Sequence, residues 1–103
     1  MIVVDFPDAQ NCRASLRVTG HSGMSDKGSD IVCAAISALV QTFAGGVETS
    51  MNAKVLGDVE TGGCNLTVMV PENFGRKLEI VCEVFKFGFR KIAESYPEHV
   101  QLN

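Results

Sequence analysis

Two residues of this sequence have the types and spacing to carry covalent chemistry, Cys33 and His21. Ser29 or Asp30 is a natural N-cap, so Cys33 falls in the first turn of a predicted helix, where unpaired N–H groups and the helix dipole favour an anion such as a thiolate. His21 lies in GHSGMSDKGSD, residues 20 to 30, whose glycines at 20, 23 and 28 allow the chain to fold back over the helix start. A cysteine and a histidine are the minimum for nucleophilic acyl transfer: the imidazole takes the thiol proton and later returns it to the leaving amine. Backbone N–H groups at the same helix start can hold the developing oxyanion. On spacing alone a plainer alternative stands beside this one, with Cys33 a small buried hydrophobe of the helix and His21 a solvated loop residue.

The remaining candidates read as structural. Cys12, Cys64 and Cys82 have no histidine or acid at a spacing suited to a nucleophile, and with no CxxC they read as free thiols filling the core. Cysteine and histidine at 12, 21, 33, 64 and 82 match no compact zinc pattern, so neither a metal nor another cofactor is expected. Phe85, Phe87 and Phe89 step by two on a predicted helix. Phe85 and Phe89 then belong to the core, and Phe87 points elsewhere, toward a second copy or a partner.

The elements that must position Cys33 and His21 follow from periodicity. Ile2 to Phe6 is a β-branched first strand, and after a turn over Pro7 to Asn11 the residues Cys12, Ala14, Leu16 and Val18 alternate with polar ones as a second. The loop at 20 to 30 is long for a small domain and reads as a flexible active-site loop of Gly20, Ser22, Gly23, Gly28 and Ser29. The helix then runs to about Phe43 and stops at Gly45 and Gly46, with Ile31, Val32, Ala35, Ile36, Leu39, Val40 and Phe43 on its apolar face and Cys33 on the border. Met51 to Leu56 and Asn65 to Val70 read as strands around the turn residues Gly57, Asp58, Gly62 and Gly63, with Pro71 closing the second. A helix from Arg76 to Ser95 and a short strand through Val100 and Leu102 complete the chain. The expected fold is α+β, a two-layer α/β sandwich in the order ββαββα plus a C-terminal strand, with a mainly antiparallel sheet and two helices.

At 103 residues the chain is read as a single domain over 1–103, and 46% hydrophobic with 20% charged residues is a globular composition. The net charge of −3 and scattered basic residues argue against direct nucleic-acid binding, which needs clustered Lys and Arg. The apolar run from Ile31 to Val40 is too short to span a bilayer, and MIVVDFPD has neither a basic flank nor a cleavage site. The expectation is a cytoplasmic protein without a membrane segment.

The run GHSGMSDKGSDIVCAAIS, residues 20 to 37, resembles the signature of the ribosomal-processing cysteine protease family, Prp. That signature is a Gly-His near the end of the second strand, a glycine-containing loop, then Asp, two apolar residues, Cys, Ala, a small residue, an apolar residue and Ser. Gly20, His21, Gly28, Asp30, Cys33, Ala34, Ala35 and Ser37 supply its elements. The resemblance implies a homodimeric thiol protease that removes an N-terminal extension from large-subunit ribosomal protein number twenty-seven, cutting after aromatic residues. Cys33 would be its nucleophile and His21 its general base. Asp30 would either orient His21 or cap the helix, and Ser37 would either hydrogen-bond near the thiol or simply sit on the helix surface.

Two other readings of the same residues stay open at this point. One is a non-catalytic, ribosome-associated binding module that keeps the fold without using the thiol. The other is a redox-sensing thiol, which requires a resolving cysteine near Cys33.

Overall fold

The computed structural model describes residues 1–20, 27–60 and 63–103. In chain order the elements are β1 (Ile2–Asp5), β2 (Arg13–Thr19), α1 (Lys27–Met51), β3 (Lys54–Glu60), β4 (Gly63–Met69), a 3₁₀ turn (Glu72–Phe74), α2 (Gly75–Ser95) and β5 (Val100–Leu102). The expected α+β order is therefore present. The strands form one five-stranded sheet in the order β3-β4-β2-β1-β5, antiparallel except for the edge pair β1 and β5.

Alternation decides which face of the sheet is covered. In β2, Ala14, Leu16 and Val18 are buried while Arg13, Ser15, Arg17 and Thr19 face solvent. Register carries that pattern across, since Ala14 pairs with Val68, Leu16 with Leu66 and Val18 with Cys64. Both helices pack on this inner face. Their core residues meet the strands at an aromatic cluster in which the Phe6 ring stands edge-on to Phe43 at 5.3 Å and to Phe89 at 5.8 Å, and Phe85 adds a ring 5.4 Å from Phe43. Lys86 caps the cluster, its ammonium over Phe6 and paired with Asp8, whose carboxyl it holds below the usual range.

Three boundaries differ from the sequence expectation, each for a physical reason. First, α1 does not stop at Gly45 and Gly46. Two glycines inside a helix cost roughly 1 kcal/mol each, but continuing the helix buries Val47 at 1% and Met51 at 4% exposure, worth about 1.5–3 kcal/mol apiece. The stop comes at Asn52, whose φ of 51° is the left-handed conformation that ends helices. The stretch Ile31–Met51 is thus long and apolar enough to cross a membrane, at a mean hydropathy of 1.6. Here Val32, Ile36, Val40, Phe43, Val47 and Met51 instead face the core.

Second, β3 begins at Lys54 and runs through Gly57 and Asp58, the expected turn residues. Gly57 has φ +117° opposite Leu66, and a Cβ there would lie 1.9 Å from the Asn65 carbonyl oxygen. Its lack of a side chain serves a close backbone approach. Third, α1 begins by Lys27, so Gly28 and Ser29, expected in the loop, and Asp30, expected at or next to the cap, are helical.

Candidate active site

The strand ends locate the site. Val3 pairs with Thr19, Thr19 with Gly63 and Gly63 with Glu60, so the starts of β1 and β4 and the ends of β2 and β3 share one end of the sheet. α1 follows β2 and runs from that end to the other, where Lys54, Met69 and Arg13 are in register. The thiol-bearing turn of α1 therefore lies toward the end where β2 finishes. β2 leaves the sheet through Gly20, whose φ of +89° and position against Met1 exclude any side chain: a Cβ would be 2.3 Å from the Met1 carbonyl oxygen. His21 follows directly in the chain. It lies outside the described residues, as do Ser22 and Gly23.

On α1, Val32 and Ile36 are buried and fix the helix against the sheet, which leaves Cys33 exposed on the flank. The buried-hydrophobe alternative for Cys33 is thereby removed. Ser37 stands one turn further along the same flank, also exposed, within the distance at which i and i+4 side chains meet. Cys33 is the seventh residue of the helix, beyond the four N–H groups that a helix start leaves free. The expectation that this helix start holds both the thiolate and an oxyanion does not fit that position, because the dipole effect fades after the first turn.

The other cysteines behave as the sequence suggests. Cys64 and Cys82 are buried, and burial pushes each thiol up to about 11. Cys12 is half-buried. Among the described residues all of the cysteines are free, and no three or more His, Cys, Asp or Glu side chains converge to hold a metal.

Sequence reasoning singled out Phe87 and missed its neighbours. Phe87 is 55% exposed, and Ile80 and Val84, at 46% and 62%, share its face of α2. The spacing i, i+4, i+7 was the available signal, hidden because the opposite face of the same helix is apolar too.

The chain matches the family described as cysteine protease Prp over residues 1–101. No protein of curated function matches it by sequence. Among solved structures, SMU.848 from Streptococcus mutans is 28% identical with a TM-score of 0.77, over 100% of this chain and 92% of that one. The essential ribosomal processing protease Prp from S. aureus, solved in complex with a substrate peptide, is 19% identical with a TM-score of 0.77, over 100% of this chain and 98% of that one. The same S. aureus protein with a covalently linked product peptide is 20% identical with a TM-score of 0.76, again over 100% and 98%. These likenesses agree with the two-helix, five-stranded fold, and the match over nearly the whole length places the chain in the Prp cysteine protease family.

Proposed function

We propose that this chain is a cysteine endopeptidase that removes the N-terminal extension of large-subunit ribosomal protein number twenty-seven, acting in the cytoplasm as a homodimer. The observation that carries the reading is the exposed Cys33 on a helix pinned from beneath by Val32 and Ile36, in a chain matched over residues 1–101 by a protease family. Support for a peptide as substrate comes from the S. aureus protein of the same fold, solved with a substrate peptide and with a covalently linked product peptide.

In this reading His21 removes the Cys33 proton and the thiolate attacks the carbonyl of the scissile bond. The tetrahedral intermediate collapses to a thioester as the C–N bond breaks, and the imidazolium gives its proton to the leaving amine. Water, deprotonated by the same imidazole, then hydrolyses the thioester and regenerates the thiol. By the family signature, Ser37, one turn beyond Cys33, would hydrogen-bond near the sulfur, and Asp30 would either orient His21 or cap the helix. No cofactor or metal enters this scheme.

The test is incubation of the reduced protein, with Cys33→Ala and His21→Ala alongside, with the extended ribosomal protein of its own organism, read by intact mass. Cleavage at one bond by the wild type and by neither variant is expected. A folded, reduced wild type that leaves the extension intact would overturn the substrate assignment and favour a non-catalytic binding module.

A further inference from the structure

β3 is an outer strand of the sheet. It pairs with β4 along one side, and among the described residues no backbone hydrogen bond reaches its other side. An edge of this kind presents a row of free N–H and C=O groups. The helices set it beside the thiol. α2 lies over β2 and β5, and α1 lies toward β3. Leu39 of α1 meets Gly88 of α2, and Cys33 points about 120° away from Leu39, so the thiol is on the flank of α1 that overlooks β3. Ser37 and Ala44 share that flank, within about 40° of Cys33, Ser37 exposed and Ala44 half-buried. The sheet is uncovered beneath them. Val55 and Gly57 pair with Val68 and Leu66, which are buried, yet Val55 is only half-buried and Gly57 is exposed. A slot therefore runs between α1 and the edge strand, walled by small side chains and floored at Gly57 by bare backbone. Lys54 and Asp58 alternate with Val55 and Gly57, which puts the charges of this stretch on the opposite face of the sheet.

We propose that the peptide substrate lies extended along the free edge of β3 as a sixth strand, in the slot beneath the Cys33 flank of α1. The proposal rests on the peptidase reading above and adds how the chain is held. Main-chain pairing to an edge strand holds a peptide extended whatever its sequence, and pockets for alternate side chains then give specificity. Here the inward positions face Ala44 and Gly57, where the small wall and bare floor leave space for large apolar side chains, and the outward positions face solvent. β3 ends at the same end of the sheet as the thiol-bearing turn of α1, so a chain on this edge is led toward Cys33. Its seven residues span about 23 Å, enough to pair with roughly as many residues of an extended peptide. The opposite edge of the sheet suits the task poorly: β5 has three residues and lies under α2, away from Cys33.

The test uses the full chain carrying Cys33→Ala, which binds without turnover, and a fluorescent synthetic peptide of the ribosomal protein's N-terminal extension. A set of the same peptide, each N-methylated at one backbone amide, is titrated by anisotropy. Strand pairing uses every second amide of the peptide, so losses of roughly tenfold in affinity are expected at alternate positions and little change between them. Hydrogen exchange of the complex is expected to slow at alternate amides of β3 and to stay unchanged at β5. A peptide that binds with β3 amides unprotected, or that tolerates N-methylation at every position, would overturn the edge and leave the peptidase reading standing. Periodic binding to Cys33→Ala with no cleavage by the wild type would do the reverse. A peptide neither bound nor cleaved would overturn both.

Discussion

Val32 and Cys33 are consecutive on α1 and meet opposite environments, Val32 at 0% exposure beneath the helix and Cys33 in contact with solvent. Neighbours on a helix differ by about 100° in direction, so the buried valine fixes the phase that presents the thiol. Selective chemistry follows. Brief alkylation of the native protein at neutral pH is expected to modify Cys33 first and the half-buried Cys12 more slowly. Cys64 and Cys82, neutral and buried, are expected to react only after denaturation. Peptide mass mapping reads the order, and equal labelling of Cys33 and Cys82 in the folded state would contradict it.

Gly57→Ala places a methyl group where the Asn65 carbonyl oxygen would be 1.9 Å away, on a residue whose φ of +117° already disfavours a side chain. The obstacle is backbone in the central run of the β3–β4 ladder and has no rotamer by which to yield. The expected loss is about 3 kcal/mol or more, a large share of a small domain's stability, seen as a fall in the urea midpoint. A loss below about 0.5 kcal/mol would mean that β3 shifts its register freely.

Gly46→Ala is expected to act in the opposite direction. Gly46 sits inside a helix, and nothing lies within 4 Å of an added Cβ. Replacing it removes unfolded-state freedom and should add about 0.5–1 kcal/mol, raising the melting temperature by several degrees. Calorimetry of the single variant decides it.

These two glycines also mark what was legible in the sequence. Val32, Ile36, Val40, Phe43, Val47 and Met51 recur at steps of three and four across Gly45 and Gly46. The true length of α1 was therefore written in its apolar residues, and the glycine pair, read as a stop, outweighed that pattern. Asn52, the residue that does end the helix, is of a type that adopts the left-handed conformation, but as a stop signal it is weaker than the glycine pair until its φ is seen. Gly57 looked like a turn because the reason for it, the Asn65 carbonyl, belongs to another strand. The parallel pairing of Ile2 with Val100 is equally non-local. Cys33 was legible as a candidate by its type and its signature, whereas its exposure depended on how α1 settles on the sheet. His21 was found only through the chain order and the family resemblance, and it lies outside the described residues.

Alkaline stability should carry the mark of the buried thiols. Burial raises Cys82 from 9.0 to about 11, so the folded chain keeps a proton that the unfolded chain loses. The stabilisation is complete below about pH 9 and is lost between about 9 and 11, where the unfolded state binds fewer protons. Cys64 shifts the same way for the same reason. Urea midpoints taken across that window should fall for the wild type, less for Cys82→Ala and least for Cys64→Ala with Cys82→Ala. Parallel curves for the three proteins would show that the buried thiols do not govern the fall.

Cys12 and Gly75 give the most discriminating measurement. Asn11 and Cys12 both adopt positive φ, 54° and 63°, as the two central residues of a turn closed by reciprocal 3.0 Å hydrogen bonds between Gln10 and Arg13. Cysteine at the second position costs roughly 1 kcal/mol relative to glycine, yet it directs its sulfur onto the start of α2. There a Cβ on Gly75 would lie 2.9 Å from Sγ. Gly75→Ala alone should therefore destabilise by about 1–3 kcal/mol through overpacking. In a Cys12→Gly background the obstacle is gone, and the same alanine should be neutral or stabilising by up to about 1 kcal/mol, because it favours the first turn of a helix. The four proteins form a double-mutant cycle with an expected coupling of about 1–3 kcal/mol. Additive effects would show that the sulfur moves aside at no cost and that Gly75 is required by something other than Cys12.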